Sequence, residues 1–164
     1  MGDVVRIVMR FREGFWRSAI PGGEDAEFFH AFDVPFPTWW SAAPAEAPML
    51  TAWAGGPRAT RLLGMTREAR LARALESLCA IFRISPRRAR QLLIAIHFHD
   101  WSRDPFSRGA YSYQTVGGAG APARLASPID DTLFFAGEAT ERLTSGTVPA
   151  AVISGRRAAK RAMA

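Results

Sequence analysis

An apolar run that ends in Gly-Glu and leads into a helix of small residues does most to limit how this chain can fold. Residues Thr132-Leu-Phe-Phe-Ala-Gly-Glu-Ala-Thr-Glu141 predict a strand over Leu133 to Ala136 and a turn at Gly137-Glu138. Ser145-Gly-Thr-Val-Pro-Ala-Ala-Val-Ile-Ser-Gly155 then opens a helix, and Arg156-Arg-Ala-Ala-Lys-Arg161 gives it a basic end. A strand passing through a glycine turn into such a helix brings backbone N–H groups close to something flat and anionic, and the positive end of the helix dipole adds to them. An ordinary βα unit whose glycines serve only tight packing has the same local pattern.

The 164 residues suffice for a single core of moderate size, and the 48% hydrophobic content belongs to a globular chain. One cysteine, Cys79, excludes an internal disulfide; it sits among Ala74, Leu75, Leu78 and Phe82 at helical spacing, where packing is its expected role. No apolar run is long enough to span a bilayer and the amino terminus has no signal-peptide centre, so a cytoplasmic protein without membrane contact is expected.

The net charge of +6 is unevenly placed. Residues 58–108 hold 11 Arg against 4 acids, whereas residues 1–57 hold 4 Arg against 7 acids. A basic stretch of this kind attracts nucleic acid. No base-reading motif accompanies it, and Ala-, Gly- and Arg-rich composition produces the same excess, so a nucleic-acid partner is disfavoured.

Val4–Phe11 predicts a strand, turned by Arg12-Glu-Gly14. Phe28–Val34 reads as the next strand and Met49–Trp53 as a third, ending at Gly55-Gly56. Thr66 caps a helix whose apolar face is Leu71, Leu75, Leu78 and Phe82, with Arg67, Arg70 and Arg73 on the wet side. Ser85-Pro86 starts a short second helix to Leu92, and Leu93–Trp101 alternates as a strand. On such a strand His97 and His99 share a face, but no third ligand stands nearby, and no metal site is expected.

Phe134-Phe-Ala-Gly-Glu-Ala-Thr140 with Ser145–Gly155 resembles the carboxyl-terminal flavin-binding signature of the flavin-containing amine oxidases, the family of monoamine oxidases, polyamine oxidases and lysine-specific histone demethylases. Trp101-Ser-Arg-Asp-Pro-Phe-Ser-Arg-Gly-Ala-Tyr-Ser-Tyr113 resembles its Trp…Gly-x-Tyr segment, and Val4–Phe11 with Phe15-Trp16 its strand before the substrate domain. The three blocks keep the family's order.

The resemblance implies an α/β (mixed α+β) fold: a substrate-domain sheet in residues 1–100, with a helical segment at about 66–92, and the last strand and helix of an FAD-binding domain in residues 101–164, forming one compact unit. It implies an FAD-dependent oxidation of an amine C–N bond to an imine, with a small amine as substrate. Gly137 and Glu138 match the turn on the ribityl-phosphate side, where Glu138 accepts hydroxyl hydrogen bonds. Thr147 and Val148 match the helix mouth at the flavin's pyrimidine end. Trp101 and Tyr111 match aromatic positions beside the flavin, Tyr111 forming a wall of the site. Trp39 and Trp40 line or support the substrate side. Arg6 replaces the lysine that holds a water near the reactive nitrogen, and arginine cannot act as a base.

Departures from the family pattern set further expectations. Ala110 stands where monoamine oxidases bond the flavin through cysteine, which implies non-covalent FAD. Thr147 replaces a second tyrosine. The Gly-x-Gly-x-x-Gly unit that binds the pyrophosphate is absent, since Gly117–Pro122 lacks its strand–helix context. The chain is therefore expected to be truncated, with an incomplete FAD site and little or no activity alone. The alternative is a degenerate fragment or a non-catalytic partner subunit, joined to a chain that carries the dinucleotide-binding half.

Overall fold

A computed structural model describes residues 1–163. It divides into two compact units, Asp3–Ser107 and Met1–Gly2 with Arg108–Ala164. The first unit is built on five strands, β1 (Val4–Phe11), β2 (Phe28–His30), β3 (Thr38–Ser41), β4 (Met49–Gly55) and β5 (Leu93–Phe98). All pairings are antiparallel, in the order β2-β3-β4-β1-β5.

Register follows from the side-chain period of two. Val5, Ile7, Met9 and Phe11 of β1 are buried, and the residues opposite them on β4, from Ala54 through Ala52 to Leu50, are buried too. Small alanines face large residues, so the two strands share one interior layer. The alternate set, Arg6, Val8 and Arg10 against Trp53, Thr51 and Met49, lies on the sheet's other face.

Helices cover the buried face. They are α1 (Trp16–Ala19), α2 (Pro57–Leu63), α3 (Arg67–Phe82) and α4 (Pro86–Leu92). Ala59 and Leu62 of α2, Ala74, Leu78 and Phe82 of α3, and Ala89 and Leu92 of α4 join one cluster with β1. Edge-to-face rings link its parts: Phe11 and Phe15 lie 5.2 Å apart, Phe15 and Phe82 5.7 Å, Phe29 and Phe82 4.9 Å. Local signals set the helix starts. Thr66 Oγ1 accepts from Ala69 N at 3.2 Å, and Ser85 Oγ from Arg88 N at 3.2 Å ahead of Pro86.

The expected strand Phe28–Val34 stops at His30. Ala31 N instead donates to Pro37 O at 2.9 Å, turning the chain in a segment where Pro35 and Pro37 have no ladder donors. The chain returns as β3, which takes up Trp39 and Trp40. Trp39 is fully buried with its indole N–H bonded to Phe36 O at 2.9 Å, and Trp40 lies on the opposite face. Helix α2 adds an element before the helix at Thr66, with Pro57 in its first turn after a positive-φ Gly56.

Arg70 is not on the wet side of α3. It is 5% exposed, while Arg67 and Arg73 are exposed as expected. The buried stripe is Arg70, Ala74, Ser77, Leu78 and Phe82, rotated from the leucine stripe, and Leu71 and Leu75 are only half-buried. Cys79 is half-buried against the core, and burial raises its thiol pKa despite the opposing charge of Arg90. β5 ends at Phe98, so His97 and His99 do not share a strand face.

The second unit contains α5 (Ala121–Leu125), a 3-10 turn (Glu138–Thr140) and α6 (Val148–Ala162). Leu133–Ala136 does not form the expected strand. Leu133 makes one isolated bridge to Ile129, and the run is extended without a neighbouring strand among the described residues. A strand exists only as part of a ladder, and this unit supplies no second one. No helix among the described residues is long and apolar enough to cross a membrane.

Candidate functional site

Gly137 sets the geometry of the second unit. Its φ of 141° and ψ of 161° lie in a region that essentially only glycine occupies. A Cβ there would meet nothing within 4 Å, so the requirement is conformational and the space beside the turn is open. Gly137 N donates to Ser154 Oγ at 2.9 Å, which fastens the turn to the middle of α6, where Ser154 is fully buried. Thr140 Oγ1 donates to Gly137 O at 2.8 Å and accepts from Arg157 Nη2 at 2.8 Å. Arg157 Nη1 also pairs with Glu141 Oε1 at 2.5 Å. Turn and helix are stapled at two levels.

Glu138 then reaches away from α6 and gathers two further segments. Its Oε1 accepts from Ser112 N at 2.8 Å. Its Oε2 accepts from Ser112 Oγ at 2.5 Å and from Gly146 N at 2.6 Å. Burial pushes this carboxyl up, but the hydrogen bonds from Ser112 and Gly146 outweigh it, and its pKa lies below the ordinary carboxylate value. The carboxylate thus binds Ser112, beside Tyr111, to Gly146, beside Thr147.

Tyr111 is 38% exposed and its carbonyl accepts from Gly2 N at 2.7 Å. A Cβ on Gly146, whose φ is 79°, would lie 3.8 Å from the Tyr111 ring and 3.6 Å from Ser112 O. The ring therefore stands against the loop that enters α6. At that entrance Thr147 Oγ1 accepts from Ala150 N at 3.2 Å and donates to Thr144 O at 2.7 Å. Ala151 N bonds to Thr147 O, and Pro149 has no N–H. In the first turn the main-chain donor of Val148 is left without a partner among the described residues, on a residue 77% exposed. Several free N–H groups were expected at this mouth; the structure leaves one on the helix itself, because the cap and the proline remove the others.

Tyr111, Gly137, Glu138, Thr147 and Val148 thus belong to one unit and are joined through a single carboxylate. Arg6 and Trp101 belong to the sheet unit. Arg6 lies on the open sheet face opposite Trp53 in register. Trp101 follows β5, is 42% exposed and packs edge-on against His99, ring centroids 4.4 Å apart. The loop carrying it is held by Asp100, whose Oδ2 accepts from the buried Arg70 at 2.9 Å, and by Asp104. The amide of Ser107, then that of Phe106 and the ring of His99, hold the Asp104 pKa below its usual value against desolvation. No group of three or more His, Cys, Asp or Glu among the described residues is placed to hold a metal ion.

Ser112, Gly146 and Ser154 take part in these arrangements without having been assigned a role in the sequence, and Arg70 was assigned to the wet side of its helix. Gly146 carried a signal, as a glycine just before a helix cap; a serine between two tyrosines carried none.

Over residues 1–163 the chain matches the family model for flavin containing amine oxidoreductases. It is 30% identical over 165 residues to lysine-specific histone demethylase 1 homolog 3 of Arabidopsis thaliana, covering 98% of this chain and 10% of that protein. It is 27% identical over 169 residues to the flavin-containing amine oxidase B of Bos taurus, covering 98% of this chain and 30% of that one. Among solved structures, putrescine oxidase bound to putrescine superposes with a TM-score of 0.75 at 21% identity, over 96% of this chain and 34% of that one. Cyclohexylamine oxidase from Brevibacterium oxydans does so at 0.76 and 20%, over 99% and 35%. The chain thus spans a tenth to about a third of the length of these relatives. Its mixed α/β fold with one antiparallel sheet matches a part of theirs, and the chain belongs to the flavin-containing amine oxidoreductase family.

Proposed function

We propose that this chain supplies the flavin-ring end of an FAD-dependent amine oxidase, together with part of its substrate-domain sheet. The observation that carries the reading is the Glu138 clamp. It draws Tyr111-Ser112 to Gly146-Thr147 and leaves the Val148 amide unpartnered at the start of a 15-residue helix. A flat, electron-accepting ring fits this donor set: an aromatic neighbour, an open glycine turn and one main-chain N–H at the positive end of a helix.

A flavin held there would supply two-electron oxidation of the carbon next to an amine nitrogen, with oxygen as the final electron acceptor. The chain's own residues orient and polarise. The Val148 N–H and the helix end favour negative charge at the mouth of α6 without a proton donor. The Tyr111 ring forms a wall that selects a neutral amine over a hydrated cation. Glu138 has three internal donors on its carboxylate, leaving one Oε1 lone pair for a ligand hydroxyl. Arg6 stays charged and donates to water, never acting as base. Ala110 has no nucleophile, so FAD is held without a covalent bond. With no Gly-x-Gly-x-x-Gly in these residues, affinity for FAD in the isolated chain is weak and amine oxidation is slight.

Fluorescence-quenching titrations with FAD test this. Riboflavin should compete with FAD, because the ring end is what the chain holds, and ADP should not. Competition by ADP alone, or no quenching at any FAD concentration, would sink the reading.

A second reading is a partner subunit whose site another chain completes. It is favoured by the unpaired Leu133–Ala136 run and by the exposure of Leu133, Val148, Val152 and Ile153. Tight FAD binding that appears only on mixing with a chain bearing the dinucleotide motif selects it; unchanged affinity on mixing rejects it.

A further inference from the structure

The sheet unit contains a basic hollow. It lies between the loop after β2 and the helices α2 and α3, with a volume of about 500 Å³. Arg58, Arg61 and Arg73 line it against one carboxylate, Asp33, and Val34 and Leu62 add apolar wall.

The hollow's sides are tied together from within. Arg58 Nη2 donates to Phe32 O at 2.6 Å, joining α2 to the loop. Phe36 N donates to Ser77 Oγ at 3.0 Å, and Ser77 Oγ donates to Arg73 O at 2.8 Å, joining the loop to α3. Ser77 is fully buried, so this anchor is part of the core. A site held this way does not have to be assembled when a ligand arrives.

Its charges are poorly matched internally. Arg58 and Arg61 stand three residues apart on α2, which contains no acidic residue, and like charges at that spacing oppose each other. Arg73 pairs only with Glu76 among the described residues, at 2.7 Å on the exposed surface. Among the described residues Arg61 has no ion pair or side-chain hydrogen bond, and Asp33 forms no ion pair with the three arginines. Guanidinium forks favour carboxylate and phosphate oxygens, and three of them repel an amine cation. The Phe32 ring is 78% exposed at the rim, a large flat apolar surface beside the cations.

We propose that this hollow binds an organic dianion with an aromatic or apolar body, its phosphate or carboxylate oxygens on Arg61 and its neighbours and its ring against Phe32.

Phenyl phosphate is the probe, titrated calorimetrically into the whole chain, with inorganic phosphate as the charge-only arm. The expected result is saturable binding at one site, tighter than that of inorganic phosphate. Arg61→Glu should weaken it at least tenfold. Arg87→Glu, the same charge change on an exposed α4 residue outside the hollow, should leave it unaltered. Phe32→Ala should reduce phenyl phosphate to the affinity of inorganic phosphate. Arg61 and Phe32 are exposed, and matching melting temperatures will show that the variants fold. Absence of saturable binding, equal affinity for the two probes, indifference to Phe32→Ala, or equal loss in Arg61→Glu and Arg87→Glu would each overturn the proposal.

Discussion

Glu138 Oε2 accepts the Ser112 hydroxyl at 2.5 Å, across 26 residues of chain. That contact and the bond from Gly146 N make one carboxylate the junction of the aromatic segment, the 3-10 turn and the entrance to α6. Glu138→Gln keeps the shape, removes the charge and sets an amide NH2 against a main-chain donor, Ser112 N or Gly146 N, so that one hydrogen bond is lost and the others become neutral. A loss of about 1.5–3 kcal/mol in the stability of residues 108–163 is expected. Amide hydrogen exchange should show it there and leave β1 and β4 unchanged.

The same carboxyl makes that unit acid-sensitive. Its folded pKa is depressed, so its contribution is complete above the ordinary glutamate range and is lost as pH falls through the folded pKa. Stability of wild type and Glu138→Gln, followed from neutral pH downward, should therefore converge in acid. Curves that stay parallel would show that the charge is not what holds the junction.

Arg70 and Asp100 test the sheet unit. The guanidinium and carboxylate meet at 2.9 Å with side chains 6% and 16% exposed, and Arg70 lies 4.9 Å from the Phe98 ring centre. Arg70 Nε and Asp100 Oδ1 have no protein partner. Asp100→Ala strands the buried Arg70 and should cost about 3–5 kcal/mol, whereas Arg70→Ala leaves Asp100 with Arg103 at 4.0 Å and should cost less. The double variant should cost clearly less than the sum, as read in a double-mutant cycle by urea unfolding.

Two glycines should respond with opposite sign. Gly137→Ala forces alanine into a φ of 141° and should destabilise by about 1–3 kcal/mol, although no atom lies in the way of its Cβ. Gly155, inside α6 and equally open, should gain about 0.5–1 kcal/mol on becoming alanine. Thermal unfolding of the two variants checks both signs.

What was legible in the sequence was local. Thr66 and Ser85 cap the helices they were read to start because a hydroxyl needs only the next turn's amide. Val4–Phe11 forms the strand that its β-branched and apolar residues predict, with a hydrogen-bonded neighbour on each edge. Leu133–Ala136 was misread because an apolar run becomes a strand only beside a partner, which composition cannot supply. The face of α3 was misread because its leucines were followed as the stripe. Arg70, Ala74 and Ser77 go inward instead, since small residues let the helix approach the sheet and Asp100 gives the arginine a counter-charge. Glu138 was recognised for its motif, but its clamp spans 26 residues and has no sequence period.

The central claim is that the Val148 amide, at the mouth of α6, holds the flavin ring. Val148→Pro tests it directly. Proline suits the first helical position, and Thr147 before it is extended at φ −122° and ψ 155°, so the substitution removes the N–H and little else. FAD titrated into wild type and variant should show at least tenfold weaker binding in the variant, with helix content and melting temperature unchanged. Equal affinity in a folded variant would contradict the claim.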